Sequence, residues 1–353
     1  MSAFLSTLLL FVSVGFFTLL ERKVLALLIL RVGPAKPSLC GLLVPFADAL
    51  KLLAKPFIIP LSGSKGLMYF SCLLGLLVPS CLWLFVSLPS ASWWSTYTVL
   101  SILVWISLSV YSLLLAGWGS NSKYSALGGL RCLAQCISYE VCLSLLLLSV
   151  CLFCGFGLLS PSAYCFGLGF VHVVLLLFVI LLAETNRSPF DFAEGESELV
   201  SGYNVEFRGS GFVLLFLREY LSILFISYLV ASVCASGSYL PSLFGCLGFS
   251  FAFIWTRGTL PRFRYDSLMS LCWKSILPLV LSSYLLFLVL YYHFLLWKQD
   301  LLLIMYLSFV PRLKFPYYFF IFDFTSFCFL SLVFCSGWFT IIIRVWLRRH
   351  RSC

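Results

Sequence analysis

The residues of this sequence that could do chemistry are carboxylates, and many of them are crowded into one short segment. Four acidic residues fall within the eight positions from Asp191 to Glu198, and six of the chain's 13 acidic residues lie between positions 183 and 212. Carboxylates that share a site of low dielectric raise one another's pKa and titrate as a group. The segment therefore predicts a group of carboxylates that holds and exchanges protons near neutral pH.

The same segment is expected to be a packed loop. Pro189, Gly195 and Gly202 prevent it from forming one continuous helix. Apolar residues between the acids give the loop a hydrophobic side, namely Phe190, Phe192, Leu199, Val200 and Tyr203. The aromatic members of this set could also contact a flat ligand with an apolar tail.

The chain that positions these acids has the composition of a membrane protein. Of its 353 residues, 62% are hydrophobic and 10% are charged, whereas soluble domains carry about 25% charged residues. So few charges could not cover a water-exposed surface, and we expect the bilayer to be most of the solvent. The net charge of +10 is expected from Lys and Arg collected on one side of a membrane. No basic run is interleaved with aromatics as a nucleic-acid groove requires.

Long apolar runs predict an all-α integral membrane protein with eight core transmembrane helices. A spanning helix needs about 20 apolar residues. Such runs lie near positions 2–20, 67–89, 97–117, 136–158, 166–183, 213–235, 239–256 and 275–296. A Phe-rich run at 315–343 predicts a ninth, C-terminal helix, whereas the run 301–311 is too short to span and is expected at the interface.

The links between these spans fall into two classes by charge. The links after spans 1, 3, 5 and 7 hold 15 Lys and Arg residues, and the links after spans 2, 4 and 6 hold none. The positive-inside rule places the odd-numbered links on the matrix or cytoplasmic side of the membrane. The N-terminus is then expected on the opposite side.

The first link contains a helix of its own. Between Gly41 and Phe57 most residues are apolar, while Asp48, Lys51 and Lys55 are spaced to share one helical face. This pattern predicts an amphipathic helix that lies in the membrane interface.

Almost all the acidic residues lie in the positive half of the predicted membrane or at its face. Glu21 and Glu184 end spans 1 and 5 there, and Glu140 and Glu219 lie one to two turns into spans 4 and 6. Carboxylates inside membranes mark function by default, so we interpret them as a proton relay that enters from the positive side. The alternative is static bridges to nearby arginines, namely Arg22 beside Glu21, Arg131 before Glu140 and Arg218 beside Glu219.

The 15 cysteines predict no metal site. Most lie inside apolar runs, and Cys151 and Cys154 form a CxxC pair without the second pair that a four-ligand site needs. We interpret the cysteines as small apolar filling residues.

Four links resemble those of a known family, in the same order. They carry ERKVL at 21–25, PFADALKL at 45–52, GWGSNSKY at 117–124, RCLAQCISYE at 131–140, AETNRSPFDFAEGESELVSGYNVE at 183–206 and PRFRYD at 261–266. These segments resemble the subunit 1 family of NADH dehydrogenases, the proton-pumping NADH:quinone oxidoreductases, over about residues 1–298. Four matching links in the right order are more specific than one short motif.

The resemblance implies a core membrane subunit of respiratory complex I that has no independent activity. It would form the tunnel by which ubiquinone enters from the bilayer, at the junction with the peripheral arm, and would couple quinone reduction to proton translocation through a carboxylate path. The chain alone would bind no cofactor, because FMN and the iron–sulfur clusters would belong to partner subunits.

The resemblance also implies partners and a location. The partners would be the peripheral quinone-site and terminal iron–sulfur subunits, small membrane subunits that lead to antiporter-like subunits, and membrane lipids. The chain would cross the mitochondrial inner membrane several times, with its odd-numbered links on the matrix side.

By position, the resemblance assigns two sets of site residues. The quinone-binding set is Arg22, Arg31, Asp48, Phe216, Arg262, Arg264 and Asp266. The proton-coupling set is Glu21, Arg131, Glu140, Glu184, Asp191, Glu194, Glu196, Glu198, Glu206 and Glu219. The chain departs from the family at Arg218, where a small residue is usual. We divide it into a subunit 1-like membrane domain, 1–298, and a C-terminal extension, 299–353, with an extra span and a basic tail.

Three other functions remain open from the residues. Intramembrane carboxylates also suit a stand-alone ion-coupled transporter, although the two halves show no internal repeat. The membrane anchor of a related hydrogenase complex is a second alternative, which the acidic loop and PRFRYD disfavour. A purely structural anchor is the third, and it does not explain why the acids concentrate in one leaflet.

Overall fold

The computed structural model describes residues 2–36, 41–57, 60, 63–87, 98–154, 171–191, 202–234 and 239–308. In these ranges we number the helices α1 (Ser2–Leu28), α2 (Val44–Leu53), α3 (Lys65–Ser87), α4 (Thr98–Gly119), α5 (Lys123–Cys154), α6 (Val171–Glu184), α7 (Ser210–Cys234), α8 (Tyr239–Thr259), α9 (Tyr265–Leu271) and α10 (Leu277–Ser308). A 3-10 turn covers Gly202–Asn204, a π-helix covers Cys272–Ile276, and no strand occurs within these ranges.

Five segments are long and apolar enough to cross a membrane, judged by length and composition. They are Lys65–Leu84, Thr98–Gly119, Lys123–Leu152, Ser210–Cys234 and Tyr265–His293. The predicted all-α membrane fold is therefore confirmed. The first, fifth and seventh predicted spans coincide with α1, α6 and α8. The ninth, at 315–343, lies outside the described residues, so the number of spans stays a prediction.

The first link does contain the predicted helix, in the shorter form α2. Pro45 lies in its first turn, where the missing N–H group costs no helical hydrogen bond. The helix packs on α1 through the rings of Phe16 and Phe46, whose centroids are 5.9 Å apart. None of its ten residues is buried. Its place in a membrane interface stays a prediction.

The core lies where α5, α6 and α7 meet. Helix α6 is apolar on all sides, as expected for a helix that lies in a protein core or spans a membrane. Its residues Leu177, Ile180 and Leu181 are completely buried, and they join one cluster with Leu146 of α5 and Val230 of α7. Around this centre α3 packs on α4 and α7, α8 packs on α7, and α10 packs on α5. The cluster places the C-terminal end of α6, and with it Glu184, in the interior.

The last helix is continuous through a π-helical segment. Helices α9 and α10 are joined by Cys272–Ile276, where the N–H group of Leu277 donates to the carbonyl oxygen of Cys272, five residues earlier. Buried residues follow one another at intervals of four through this segment, at Leu268, Cys272 and Ile276. Helix α10 runs past the predicted domain boundary at 298 to Ser308, and the division into two domains stays a prediction.

Gly209, just before α7, is expected to tolerate no side chain. Its φ angle of +60° is one that residues with a Cβ rarely adopt. An added Cβ would lie 2.7 Å from the carbonyl oxygens of both Lys55 and Pro56. The Gly209→Ala change should lower the free energy of unfolding by about 1–3 kcal/mol from backbone strain alone. The measurement is the unfolding temperature of the detergent-solubilised protein.

The matched control is Gly248→Ala in α8, where an added Cβ meets no heavy atom within 4 Å. Alanine is a better helix former than glycine by about 1 kcal/mol, so this variant should be as stable as the original or more stable. Equal unfolding temperatures for the two variants would show that Gly209 is not needed for its backbone conformation.

Candidate functional site

A buried carboxylate near the C-terminal end of α1 collects two arginines and a tyrosine. The side chain of Glu21 is 7% exposed. Its Oε1 atom accepts hydrogen bonds from Nη1 of Arg187, at 3.3 Å, and from Nη1 of Arg257. Its Oε2 atom accepts a hydrogen bond of 2.8 Å from the hydroxyl of Tyr220. The partners come from the link after α6, from α7 and from α8, so Glu21 ties four parts of the chain together.

Arg187 is held at the centre of this cluster. Its guanidinium carbon lies 4.4 Å from the centre of the Tyr220 ring, a favourable cation–π arrangement. Burial lowers the pKa of Arg187, but Tyr220, Glu21 and Glu219 outweigh burial and raise it above the ordinary value. Arg187 therefore stays charged, and the cluster holds two positive charges against the one carboxylate of Glu21.

The alternative of a static bridge between Glu21 and its neighbour Arg22 is not found in the structure. Successive residues of a helix point about 100° apart and do not face each other. Arg22 instead donates from Nη1 to Oδ2 of Asp48 in α2, at 2.7 Å. This ion pair is exposed, with 54% and 45% of the two side chains accessible. It joins α1 to α2 and brings together two residues of the predicted quinone-binding set.

A second group of ionisable residues lines a cleft between α3, α4, the end of α6, and α7. The cleft contains about 650 Å³ of empty space, counting the part that is open to the outside. Its polar lining includes Glu184, Tyr203, Arg218 and Glu219. The hydroxyl of Tyr203 donates a hydrogen bond to Oε1 of Glu219. Nη2 of Arg218 donates to the backbone oxygen of Ser109 in α4, at 2.7 Å.

Electrostatic interactions connect the two groups. Glu184 is buried, and it is acted on by the charges of Glu140 in α5 and of Arg218. Glu219 interacts with Arg218 and also with Arg187 of the first group. Arg187 thus links Glu21 to Glu219, Arg218 links Glu219 to Glu184, and Glu140 interacts with Glu184 directly. Such a series can pass a change of charge from one member to the next.

Comparisons with known proteins identify the family of this chain. The family model described as NADH dehydrogenase matches residues 1–290. The chain belongs to the NADH dehydrogenase family.

Its relatives in that family carry the name NADH-ubiquinone oxidoreductase chain 1. The protein of Aedes aegypti is 49% identical over 284 residues, which cover 77% of this chain and 89% of the relative. The protein of Locusta migratoria is 46% identical over 279 residues, covering 77% and 88%. The protein of Mytilus edulis is 43% identical over 277 residues, covering 77% and 91%.

The other site residues predicted for this member of the NADH dehydrogenase family are spread over the same region. Asp191 pairs with Arg262 at 3.5 Å, and Arg264 pairs with Asp266 at 3.2 Å on the surface. Phe216 lies in a row of rings between Phe212, at 4.3 Å, and Tyr220, at 6.4 Å. Arg131 lies 5.9 Å from the Tyr265 ring. Arg31 is exposed, Glu206 is half-buried, and Glu194, Glu196 and Glu198 lie outside the described residues.

Sequence reasoning missed one residue that fixes the site, Gln135 of α5. Its side chain is completely buried, and its Nε2 atom donates to the backbone oxygens of Ala183, at 2.8 Å, and Phe190, at 3.1 Å. Gln135 therefore holds both ends of the segment that carries Glu184 and Arg187. The feature of the sequence that could have indicated this role is a long amide side chain in the middle of a helix that is otherwise mostly apolar.

Within the described ranges no three His, Cys, Asp or Glu side chains come together as a metal ion would need. One pair of thiols, Cys142 and Cys272, has sulfur atoms 3.9 Å apart between α5 and the π-helix. In the described part of this NADH dehydrogenase family member, the ionisable side chains of the Glu21 cluster and of the cleft are carboxylates, arginines and tyrosines.

Proposed function

We propose that this chain forms the quinone-access tunnel of the proton-pumping NADH:ubiquinone oxidoreductase, at the junction of its membrane and peripheral arms. Membership of the NADH dehydrogenase family makes it a subunit of that enzyme, so catalysis belongs to the assembled complex. The observation that carries the finer proposal is the series of carboxylates and arginines from Glu21 to Glu140, because it connects the outer links to the interior of the helix bundle.

The quinone end of the proposed site lies where α1, α2 and α7 meet. A quinone needs polar groups for its carbonyl oxygens and apolar surface for its tail. The Arg22–Asp48 ion pair supplies charged groups that remain accessible. The rings of Phe16 and Phe46, and the row from Phe212 to Tyr220, supply apolar surface beside α1. We propose that the residues of the quinone-binding set contact the headgroup or line the walls of the tunnel.

The coupling part of the proposal follows from the position of Arg187. Reduction of a quinone to a quinol takes up two electrons and two protons. Where nearby side chains supply the protons, those side chains are left more negative by the charge of the protons that they give up. Arg187 donates a hydrogen bond to Glu21 and interacts electrostatically with Glu219. A change of charge at Glu21 would therefore alter the field at Glu219 and the cleft, and shift the protons held there. The remaining acids of the coupling set would continue this path.

The proposed assembly follows from membership of the same family. FMN and the iron–sulfur clusters would reside in the peripheral partner subunits, and ubiquinone would reach this chain as substrate. The partners would be the peripheral quinone-site and iron–sulfur subunits and the small membrane subunits that lead to the antiporter-like subunits. As an NADH dehydrogenase family member with relatives of the mitochondrial type, the chain is a multi-pass protein of the mitochondrial inner membrane. We propose that its positively charged links face the matrix.

The Asp48→Asn change tests the quinone assignment in the assembled complex. The variant removes the carboxylate that orients Arg22, so the guanidinium would no longer be held ready to donate to a quinone carbonyl oxygen, a charge-assisted hydrogen bond worth about 1.5–3 kcal/mol. We expect NADH:ubiquinone turnover to fall about tenfold or more. Electron transfer from NADH to ferricyanide, which can be served by the peripheral arm, should be unchanged.

Lys65→Gln is the matched control, since it removes an exposed charge at the start of α3 that belongs to neither predicted set. Its turnover with ubiquinone should equal that of the original complex. Normal ubiquinone reduction by the Asp48→Asn complex would remove the Arg22–Asp48 pair from the proposed quinone site.

A further inference from the structure

The link between α8 and α9, residues 260–264, packs against the segment 183–191 through Phe263. The N–H group of Phe263 donates a hydrogen bond of 3.1 Å to the backbone oxygen of Pro189. Its ring stacks on the ring of Phe190, with centroids 5.5 Å apart. Phe190 is 5% exposed and belongs to the buried core. Phe263 therefore joins the α8–α9 link to the segment by both its backbone and its side chain.

The residues on either side of Phe263 have partners in different places. Arg262 pairs with Asp191 of the segment at 3.5 Å, and the side chain of Asp191 is 9% exposed. Arg264 pairs instead with Asp266 of α9, and 83% and 74% of these two side chains are accessible. The α8–α9 link therefore has an outer side that a ligand can reach and an inner side that rests on the segment.

Hydrogen bonds make the segment 183–191 one connected unit. Nε2 of Gln135 donates to the backbone oxygens of both Ala183 and Phe190, so one side chain ties the two ends of the segment together. The N–H group of Phe190 also donates to the backbone oxygen of Arg187, at 2.8 Å. A displacement of Phe190 would therefore be passed to Arg187 and, through its hydrogen bond, to Glu21.

We propose that Phe263 is a positioning residue that carries a change at the α8–α9 link to the segment 183–191. Phe263 belongs to neither set of predicted site residues, whereas Arg262 and Arg264 beside it belong to the quinone-binding set. The inference deepens the proposed function and rests on it, because quinone binding at the link is the event that would displace Phe263. Packed side chains and hydrogen bonds of this kind are the physical route by which two sites are coupled.

The test is hydrogen–deuterium exchange of the intact complex with and without decylubiquinone, in the absence of NADH. Peptides that cover residues 260–266 and 183–191 report on the two sides of the contact. In the original complex we expect decylubiquinone to change the exchange rate on both sides. In the Phe263→Leu complex it should change the exchange rate at 260–266 only.

A purely structural role of Phe263 would give a different result. Loss of an aromatic pair favours local opening by about two- to tenfold, so the segment of quinone-free Phe263→Leu should exchange faster by that factor whichever role Phe263 has. Only the positioning role predicts that the segment no longer responds to decylubiquinone. Phe263→Tyr keeps the ring and should keep the response.

Phe249→Leu in α8 is the matched control. Phe249 is also partly buried against the core, and its ring partner is Phe178 of α6, at 6.1 Å, which lies outside the segment 183–191. The Phe249→Leu complex should therefore show the original exchange rates in the segment and the original response to decylubiquinone.

A response of the segment that persists unchanged in Phe263→Leu would overturn the proposal, and so would a response of the original complex that is confined to one of the two sides. Both results leave the quinone assignment standing. A complete lack of response in the original complex contradicts the quinone assignment and this inference together. If Phe263→Leu fails to assemble, Phe190→Leu removes the other ring of the pair and is interpreted in the same way.

Discussion

The Glu21→Gln change is expected to destabilise the protein by about 3–5 kcal/mol, the range seen when one partner of a buried ion pair is removed. The side chain of Glu21 is 7% exposed, and that of its partner Arg187 is 13% exposed. An amide in this place carries no charge, so Arg187 and Arg257 would lose their shared counter-ion and repel each other. We expect little assembled complex on a native gel, and loss of ubiquinone reduction in what remains.

Asp48→Asn is the matched control for stability, because it makes the same acid-to-amide change in an ion pair of α1. That pair is about half exposed, and exposed pairs contribute at most about 1 kcal/mol. The Asp48→Asn complex should therefore assemble to nearly the original amount, whatever its turnover. If the two variants assemble equally well, the charge of Glu21 is not needed to hold Arg187 and Arg257 in place.

The Gln135→Leu change is expected to cost about 2–4 kcal/mol of stability and to loosen the segment 183–191. The backbone oxygen of Phe190 loses the hydrogen bond described for it, and an unpaired buried carbonyl costs about 1–3 kcal/mol. The backbone oxygen of Ala183 loses a second bond of about 1 kcal/mol but keeps the one from the N–H group of Asn186. The measurement is hydrogen–deuterium exchange of peptides that cover this segment, together with ubiquinone turnover.

Ser149→Ala provides the comparison for Gln135→Leu. Ser149 is also completely buried in α5, but its hydroxyl only donates to the backbone oxygen of Leu146 in the preceding turn. Its removal should leave exchange in the segment 183–191 unchanged. Exchange that is equally slow in Gln135→Leu would mean that the ring contact of Phe190 with Phe263 and the hydrogen bond from Phe263 to Pro189 suffice to hold the segment.

Hydropathy alone predicted the membrane fold, because a bilayer leaves few ways to satisfy the backbone and each span needs a long apolar run. It also marked Glu21, Glu140, Glu184 and Glu219, since charges inside apolar runs stand out in any sequence. These four acids do lie in one connected region of the structure. These acids could be predicted from the sequence because the free-energy cost of burying a carboxylate depends only on the residue and the apolar run around it.

The partners of these acids could not be predicted from neighbours in the chain. Arg22 follows Glu21 directly but pairs with Asp48, while Arg187 and Arg257 lie more than 160 residues away along the chain. Which arginine reaches Glu21 depends on how α1 packs against α7 and α8, and hydropathy contains no information on that packing. Gln135 was missed for the same reason, because its partners are backbone oxygens that any sequence would supply.

The π-helix at Cys272–Ile276 also bears on changes of chain length in this helix. The hydrogen bond from Leu277 to Cys272 encloses one residue more than an α-helical bond does. A deletion of one residue within this segment would convert it to regular α-helix and leave the residues on either side facing as before. A deletion elsewhere in the helix would turn every residue before it by about 100°. The segment is therefore the place where the deletion of one residue can be absorbed without moving Asp266 to another face.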